Sequence, residues 1–402
     1  MRDYYEALEE LLSKTQTTTQ TETRPLEEAE GYILAEELTV NYDAPMFDNS
    51  AMDGYAICDL NRTEWKIIGV VAAGDDVTAI SLEPGQAVRI FTGAGIPANT
   101  DSVVPQENTT VANHNVSVNQ PLKPGANIRR QGEELKKGDI LVSSHTVISP
   151  AAIGLLASQG YASINCFRPL TLTLFSTGDE LLALTEPLAP GKIYDSNRPM
   201  LLSWLKHYAY LNVVNGGVLP DDYDTIKQAL QQAAGTSDII ICSGGASVGD
   251  KDYVKQVLDE LGTLEHWKLA IKPGKPFAWG NINNRCKVFL LPGNPVASYA
   301  TTLLMTLPAI KYLAGLSLEK ARPKKWKAQA DFSIPNNKQG RRDFLRGAVT
   351  LTENGIWAAP VKGQDSHMLS GCVKAEALIE IPGHTNVERG QWLDVYPLSH
   401  SF

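Results

Sequence analysis

Three short apolar runs in this chain share one kind of ending. Leu170-Thr-Leu-Thr-Leu-Phe175, Asp238-Ile-Ile-Ile-Cys242 and Val288-Phe-Leu-Leu291 each give way to a turn rich in Gly, Ser, Asp or Pro. Runs this short and continuous read as strands buried on both faces, the condition of a mostly parallel sheet covered by helices. Parallel strands point one way, so their turns gather on one edge, where open α/β sheets bind ligands. The turns are Ser176-Thr-Gly-Asp-Glu180, then Ser243-Gly-Gly-Ala-Ser-Val-Gly249 followed by Asp250 and Asp252, and Pro292-Gly-Asn-Pro295. Glycine lets backbone N–H groups approach an anion without a Cβ in the way, and hydroxyls add donors. Ser243, Gly244, Gly245, Ser247 and Gly249 are therefore candidate phosphate contacts, joined by Pro292, Gly293 and Asn294 at the start of a helix. A plain strand-to-helix turn is the rival reading of each.

Elsewhere the texture changes. Tyr4, Leu8, Leu11 and Leu12 recur at helical spacing, and Thr15 to Thr23 form an extended threonine/glutamine connector. Pro25 is expected to open a second helix through Leu26, Ala29, Ile33 and Leu34, ending near Leu38. From Asn41 to about Gly138, short β-rich runs broken by Gly, Pro and Asn predict a small β domain. Ser149-Pro150 caps a helix over 151–158, strands alternate with helices from Leu170 to about Gly315, and β texture returns after 321–325.

The bulk properties narrow the function. A chain of 402 residues exceeds one ordinary core, so two to four domains are expected. A net charge of −9 argues against nucleic acid as a partner. The five cysteines are scattered without a zinc or disulfide spacing, and the seven histidines form no metal-binding motif. The sequence carries no signal-peptide pattern and no apolar stretch long enough for a membrane, so a reducing, cytoplasmic location is expected.

Against that acidic background one basic cluster stands out. Lys268, Lys272 and Lys275 lie in Trp267-Lys-Leu-Ala-Ile-Lys-Pro-Gly-Lys-Pro276, on a backbone stiffened by Pro273, Gly274 and Pro276. Lysine is a compact charge suited to tetrahedral oxyanions, whereas a solvated lysine needs no such frame. Asp221 and Asp252 fall at neighbouring strand ends, and oxygen ligands beside a phosphate site suit Mg²⁺. Asp221 also lies where a helix N-cap belongs, with Asp222 beside it.

These turns, with Pro45-Met-Phe-Asp-Asn-Ser-Ala-Met-Asp-Gly-Tyr-Ala56 and Phe91-Thr-Gly-Ala94, occur in an order that resembles the molybdopterin molybdenumtransferase family, which includes the E domain of gephyrin. The resemblance runs from about Leu26 to the end of the chain. It implies an α/β plus β, multidomain fold: an elongated helical segment (1–42 with 140–168), an inserted β domain (43–139), a doubly wound molybdopterin-binding α/β domain (169–318) and a C-terminal β barrel (319–402). It also implies insertion of molybdate into adenylated molybdopterin, release of AMP and a need for Mg²⁺, in a homodimer whose cleft combines loops of both protomers. Other cofactor-biosynthesis proteins are further expected partners, and no nucleic acid or membrane is.

Residue by residue, the resemblance places Asp53, Asp221, Asp252, Lys268, Lys272 and Glu180 at the reacting centre, with Asp221 and Asp252 on the metal. It adds Thr92, Arg129 and Lys275 as substrate contacts, and Arg346 and Ser366 near the oxyanion. Glu134 stands where members often carry aspartate. The chemistry needs positive charge: two unit charges ~5 Å apart repel by roughly 3 kcal/mol at an effective dielectric near 20, and lysines plus a metal offset that. Soft dithiolene sulfurs then take the molybdenum as AMP leaves. Two rivals are an ATP-using adenylyltransferase on a similar α/β platform and a non-catalytic scaffold of the gephyrin type.

Overall fold

In a computed structural model of the chain the described residues are 1–245, 253–335 and 340–398. They form two compact units. One comprises Met1–Glu36, Ser144–Ile153 and Ser163–Phe402; the other comprises Glu37–Ser143 and Gly154–Ala162.

The larger unit is built on a six-stranded sheet in the order Leu211–Leu219, Leu170–Thr177, Ile239–Ser243, Cys286–Leu291, Pro276–Ile282, Gly262–Lys268. The first four strands are parallel, Pro276–Ile282 runs against them, and Gly262–Lys268 pairs antiparallel with Pro276–Ile282 and so runs with the first four. Alternation explains why the central strand has no polar residue before its end: Ile239 and Ile241 enter one core, with Leu172, Leu201 and Leu304, while Ile240 and Cys242 enter another, with Ile226, Leu230 and Val257. The sheet is thus covered on both faces, as a doubly wound domain requires.

The helices follow their caps. Asp3 accepts from the N–H groups of Tyr5 and Glu6 ahead of the helix Tyr4–Ser13. The Ser149 hydroxyl accepts from Ala152 N–H at the start of Pro150–Ser158. The run after Pro295 is helical but not uniform: Pro295–Thr301 and Leu307–Leu313 flank a π-helical stretch, Thr302–Thr306.

The second helix expected from Pro25 is absent. Thr21–Pro25 is a strand paired antiparallel with Ser163–Phe167, and only one 3₁₀ turn, Leu26–Glu28, follows. Gly31 breaks any continuation at φ +79°, where an added Cβ would lie 2.9 Å from the Ala209 Cβ. Ile33 and Leu34 then bridge Val147 and Cys166, so their apolar side chains are buried by pairing and not by a helix face.

Beyond the α/β layer, five strands close a barrel in the order Arg342–Thr352, Gly355–Pro360, Trp326–Ala330, Trp392–Pro397, Ala377–Ile381 and back to the first. Small residues (Ala328, Ala330, Ala358, Ala377) alternate with Ile379, Ile381, Leu393 and Val395 in its interior. The two-residue strand Ile271–Lys272 pairs in parallel with the start of Arg342–Thr352.

The smaller unit is a curled six-stranded sheet in the order Ser102–Pro105, Gly54–Ile57, Gln86–Ile90, Glu64–Val71, Asn115–Ser117, Thr110–Ala112. Its two faces carry separate clusters, Ala56, Val88, Ile90 and Val103 on one and Tyr55, Ile57, Trp65 and Val104 on the other.

Asp238 opens the central strand and holds the sheet's other edge. Arg168 Nη1 and Nη2 donate to its two oxygens at 2.9 and 2.7 Å, and Thr171 N–H adds a third bond at 2.9 Å. Burial alone would raise its carboxyl, but these bonds hold it below the ordinary 3.8. A depressed native value stabilises the fold above the unfolded one and is lost as pH falls through the depressed value. Asp238→Asn should therefore cost about 1–3 kcal/mol near neutrality, with the difference from wild type shrinking below about pH 4. Denaturant unfolding at several pH values measures this.

Candidate active site

The parallel register brings four strand ends level. Ser176 lies opposite Ser243, Ser243 opposite Leu291, and Thr177 opposite Leu219, which leads into Asp221. The turns after these strands line a cavity of about 1210 Å³. Its wall includes Ser176, Gly178, Glu180, Asp221, Ser243, Gly244, Gly245, Pro292, Gly293 and Asn294, faced by Lys272 and Lys275 and by Ser366.

The glycine turn is shaped by its neighbours. Gly244 has φ +117°, and a Cβ there would fall 2.6 Å from the Thr177 carbonyl oxygen, so only glycine fits. Its N–H donates to Leu291 O at 3.1 Å and is therefore spent within the sheet. The Ser243 hydroxyl is buried and accepts from Asn197 Nδ2 at 2.8 Å. Asn197 Nδ2 also donates to Gly293 O at 2.7 Å, tying the second and third turns together. Ser247, Gly249 and Asp252 lie outside the described residues.

Among the acids, the structure separates two adjacent aspartates. Asp222 is the N-cap of the helix Tyr223–Thr236, accepting from Thr225 N–H at 2.8 Å, and its bonds to Thr225 hold its carboxyl below the ordinary range. Asp221 is exposed and lines the cavity; its N–H donates to Asp179 Oδ1 at 3.0 Å. The Glu180 carboxylate folds back over Gly178, where an added Cβ would lie 2.4 Å from Oε2.

The lysines are not equivalent. Lys272 and Lys275 are exposed to the cavity, and neither ammonium has a hydrogen-bond or ion-pair partner among the described residues. Lys268 ends the strand Gly262–Lys268 opposite Pro276, is exposed, and does not line the cavity. Leu269 N–H donates to Lys275 O at 2.7 Å and closes the hairpin between them.

Arg346 is fully buried and does not line the cavity either. Its Nη2 donates to Gly363 O at 2.5 Å and Asp365 O at 3.2 Å, while its backbone N–H and C=O bond the Gln364 side chain. Arg346 thus carries the loop that presents Ser366. The Ser366 carbonyl in turn accepts from Val296 N–H at 3.1 Å, using one of the free donors at the start of Pro295–Thr301.

Asp53, Thr92 and Arg129 belong to the smaller unit. Thr92 N–H and hydroxyl both donate to Asp53 Oδ1 at 2.8 Å and hold that carboxyl below the ordinary range. Gly54 follows because a Cβ there would lie 2.0 Å from the Val104 oxygen. Arg129 is exposed on the short strand Ile128–Arg129, paired with Asn49.

Sequence reasoning missed several lining groups. Asn197 and Asp195 are not singled out by the sequence as site residues, yet Asp195 is buried and accepts from Ser176 Oγ at 3.0 Å and Arg198 Nε at 2.9 Å. Arg341 and His367 also face the cavity. For Asn197 the signal was a polar triplet before a helix at the same sheet edge; for Arg341 there was none beyond its charge.

A strand-end cavity of this kind, in an α/β layer joined to a closed barrel, defines a multidomain α/β protein that takes its ligand at the carboxyl edge of a parallel sheet. Three family models match in succession: the MoeA N-terminal region (domains I and II) over residues 2–160, a probable molybdopterin binding domain over 173–312, and the MoeA C-terminal region (domain IV) over 327–398. A molybdopterin molybdenumtransferase of Haemophilus influenzae is 38% identical, covering 98% of this chain and 98% of its own. One from Staphylococcus aureus is 32% identical over 89% of this chain and 86% of its own. The crystal structure of a molybdopterin biosynthesis MoeA protein from Pyrococcus horikoshii OT3, 29% identical, matches with a TM-score of 0.82 over 99% of this chain and 100% of that one. The chain belongs to the molybdopterin molybdenumtransferase family, a family of transferases.

The division of labour between the adjacent aspartates has a direct test in stability. Asp222→Ala should lower the unfolding midpoint measurably through the lost cap. Asp221→Ala should stay within about 0.5 kcal/mol of wild type, since its carboxylate is exposed. Denaturant midpoints of the two variants measure the contrast.

Proposed function

We propose that this chain acts in molybdenum cofactor biosynthesis by inserting molybdenum from molybdate into adenylated molybdopterin, with release of AMP. The observation that carries this reading is the pair of lysines, Lys272 and Lys275, without partners among the described residues and lining one cavity with four strand-end turns. Two anionic substrates must meet there, and Arg341 adds a third positive group on the same wall.

In this reading the Gly244–Gly245 turn and the Pro292-Gly-Asn stretch shape the wall against which the adenylated pterin lies. Lys272 binds the phosphates, as Lys268 does if its long stem swings inward. Lys275 and the Ser366 hydroxyl orient molybdate. Arg346 works through the loop it supports, because its guanidinium is buried behind that loop. Asp53, Thr92 and Arg129 supply polar groups from the smaller unit, in a homodimer.

The residues present fit Mg²⁺. Asp221 and Glu180 offer exposed carboxylates in the cavity wall, and no Cys or Met lines it among the described residues. No cluster of three or more His, Cys, Asp or Glu suited to a metal occurs among the described residues. Mg²⁺ at a phosphate site is commonly held by one or two carboxylates, substrate phosphates and water. Asp221, with Asp252, would hold it, and when bound it would neutralise phosphate charge.

No helix among the described residues is long and apolar enough to cross a membrane. The reading places the enzyme in the cytoplasm without nucleic-acid partners, whose phosphate backbones a net charge of −9 disfavours.

Purified protein supplied with adenylated molybdopterin, Mg²⁺ and molybdate should release AMP. Lys272→Ala should slow that release by about ten- to a hundredfold, the size of one charge-assisted contact. Its melting temperature should not move, because the side chain is exposed. AMP release unaffected by Lys272→Ala, or seen only with ATP and unmodified molybdopterin, would overturn the proposal.

A further inference from the structure

The lysine hairpin is held by a part of the chain remote from it in sequence. Arg2 N–H donates to Lys268 O at 2.8 Å, and Ala270 N–H donates to Arg2 O at 2.7 Å, so Arg2 forms a parallel bridge with Leu269. On the other side, Arg342 N–H donates to Ala270 O at 2.8 Å, and Ile271–Lys272 pair with Arg342 and Asp343. Ala270 therefore spends both backbone groups on two different clamps. The clamps are joined to each other. Asp3 Oδ2 lies 3.4 Å from Arg342 Nη2, while Arg342 Nη1 also pairs with the buried Glu380. Glu380 accepts from Tyr5 OH at 2.8 Å and Tyr396 OH at 2.7 Å.

Below this frame the hairpin has no slack. Leu269 and Ile271 are fully buried. A Cβ on Gly274 would lie 2.5 Å from the Thr301 methyl carbon, so the hairpin tip rests directly on the helix Pro295–Thr301. A flexible lysine side chain on a fixed backbone loses less freedom on meeting an anion than one on a mobile loop.

We propose that Asp3 is a positioning residue for the active site: acting through Arg342, with Arg2 pairing the hairpin's other edge, it fixes the backbone from which Lys272 and Lys275 reach the cavity. The consequence for catalysis rests on the function proposed above; the clamp itself does not.

Three variants of the full chain test it, because capping and charge make opposite demands. Asp3 Oδ1 caps the helix Tyr4–Ser13 through Tyr5 and Glu6 N–H, while Oδ2 faces Arg342. Asparagine caps as well as aspartate but is neutral; glutamate keeps the charge and caps poorly. Arg2→Pro removes the N–H that bonds Lys268. Hydrogen exchange over 268–276, read without substrate, should quicken in Asp3→Asn and Arg2→Pro and return towards wild type in Asp3→Glu. The KM for molybdate should rise about threefold in Asp3→Asn, the size of a half-exposed ion pair, with kcat within about twofold. Unchanged exchange in Asp3→Asn and Arg2→Pro would overturn the proposal, and so would Asp3→Glu faring worse than Asp3→Asn, which marks a capping role alone. If wild type released no AMP, the function would fall while the exchange data still decided the clamp.

Discussion

Parallel pairing in register is the constraint on which the rest of this molecule depends. Four neighbouring strands run the same way, and their pairings place Ser176, Ser243 and Leu291 level with one another. Every chain leaving that edge must turn immediately, and every turn must leave room for its neighbours. The glycines follow from this crowding: Gly244 lies against the Thr177 carbonyl, and Gly178 lies under the Glu180 carboxylate. A cavity walled by backbone and small polar groups results from packing four turns on one edge, before any ligand is considered.

Within that wall, most polar atoms are already committed to one another. Asn197 joins Ser243 to Gly293, Asp195 holds Ser176 and Arg198, and Val296 N–H is met by Ser366. Such a network keeps its groups still, because breaking one bond strands a buried partner. The lysines of the opposite wall are different. Their ammonium groups have no partner among the described residues, but the backbone beneath them is paired on both edges. Uncompensated charge on a fixed support attracts an anion without first having to release a competitor.

Much of this was legible in the sequence, and for identifiable reasons. The run Asp238 to Cys242 could only be a two-faced strand, since no alternation of polar and apolar residues was present, and the two cores confirm that both faces are covered. The glycine-rich endings pointed to the edge that holds the cavity. The helix expected after Pro25 failed because Ile33 and Leu34 have a spacing compatible with either a helix face or paired backbone. The resemblance put Arg346 near the oxyanion; in the fold its guanidinium is buried and holds the loop that presents Ser366, a placement that no single motif in the sequence encodes.

By itself, the sequence determined the alternation of strands and helices, the places where the chain must turn, and the residue types capable of meeting an anion. Those are local properties, set by periodicity, backbone freedom and side-chain chemistry. Only the tertiary structure decided which of two adjacent aspartates caps a helix and which faces the cavity, and which of three lysines stand in its wall. It alone brought Arg2 and Asp3 to a hairpin more than two hundred and sixty residues away. Such choices depend on direction and distance between segments far apart in the chain, and neither is encoded in any one of them.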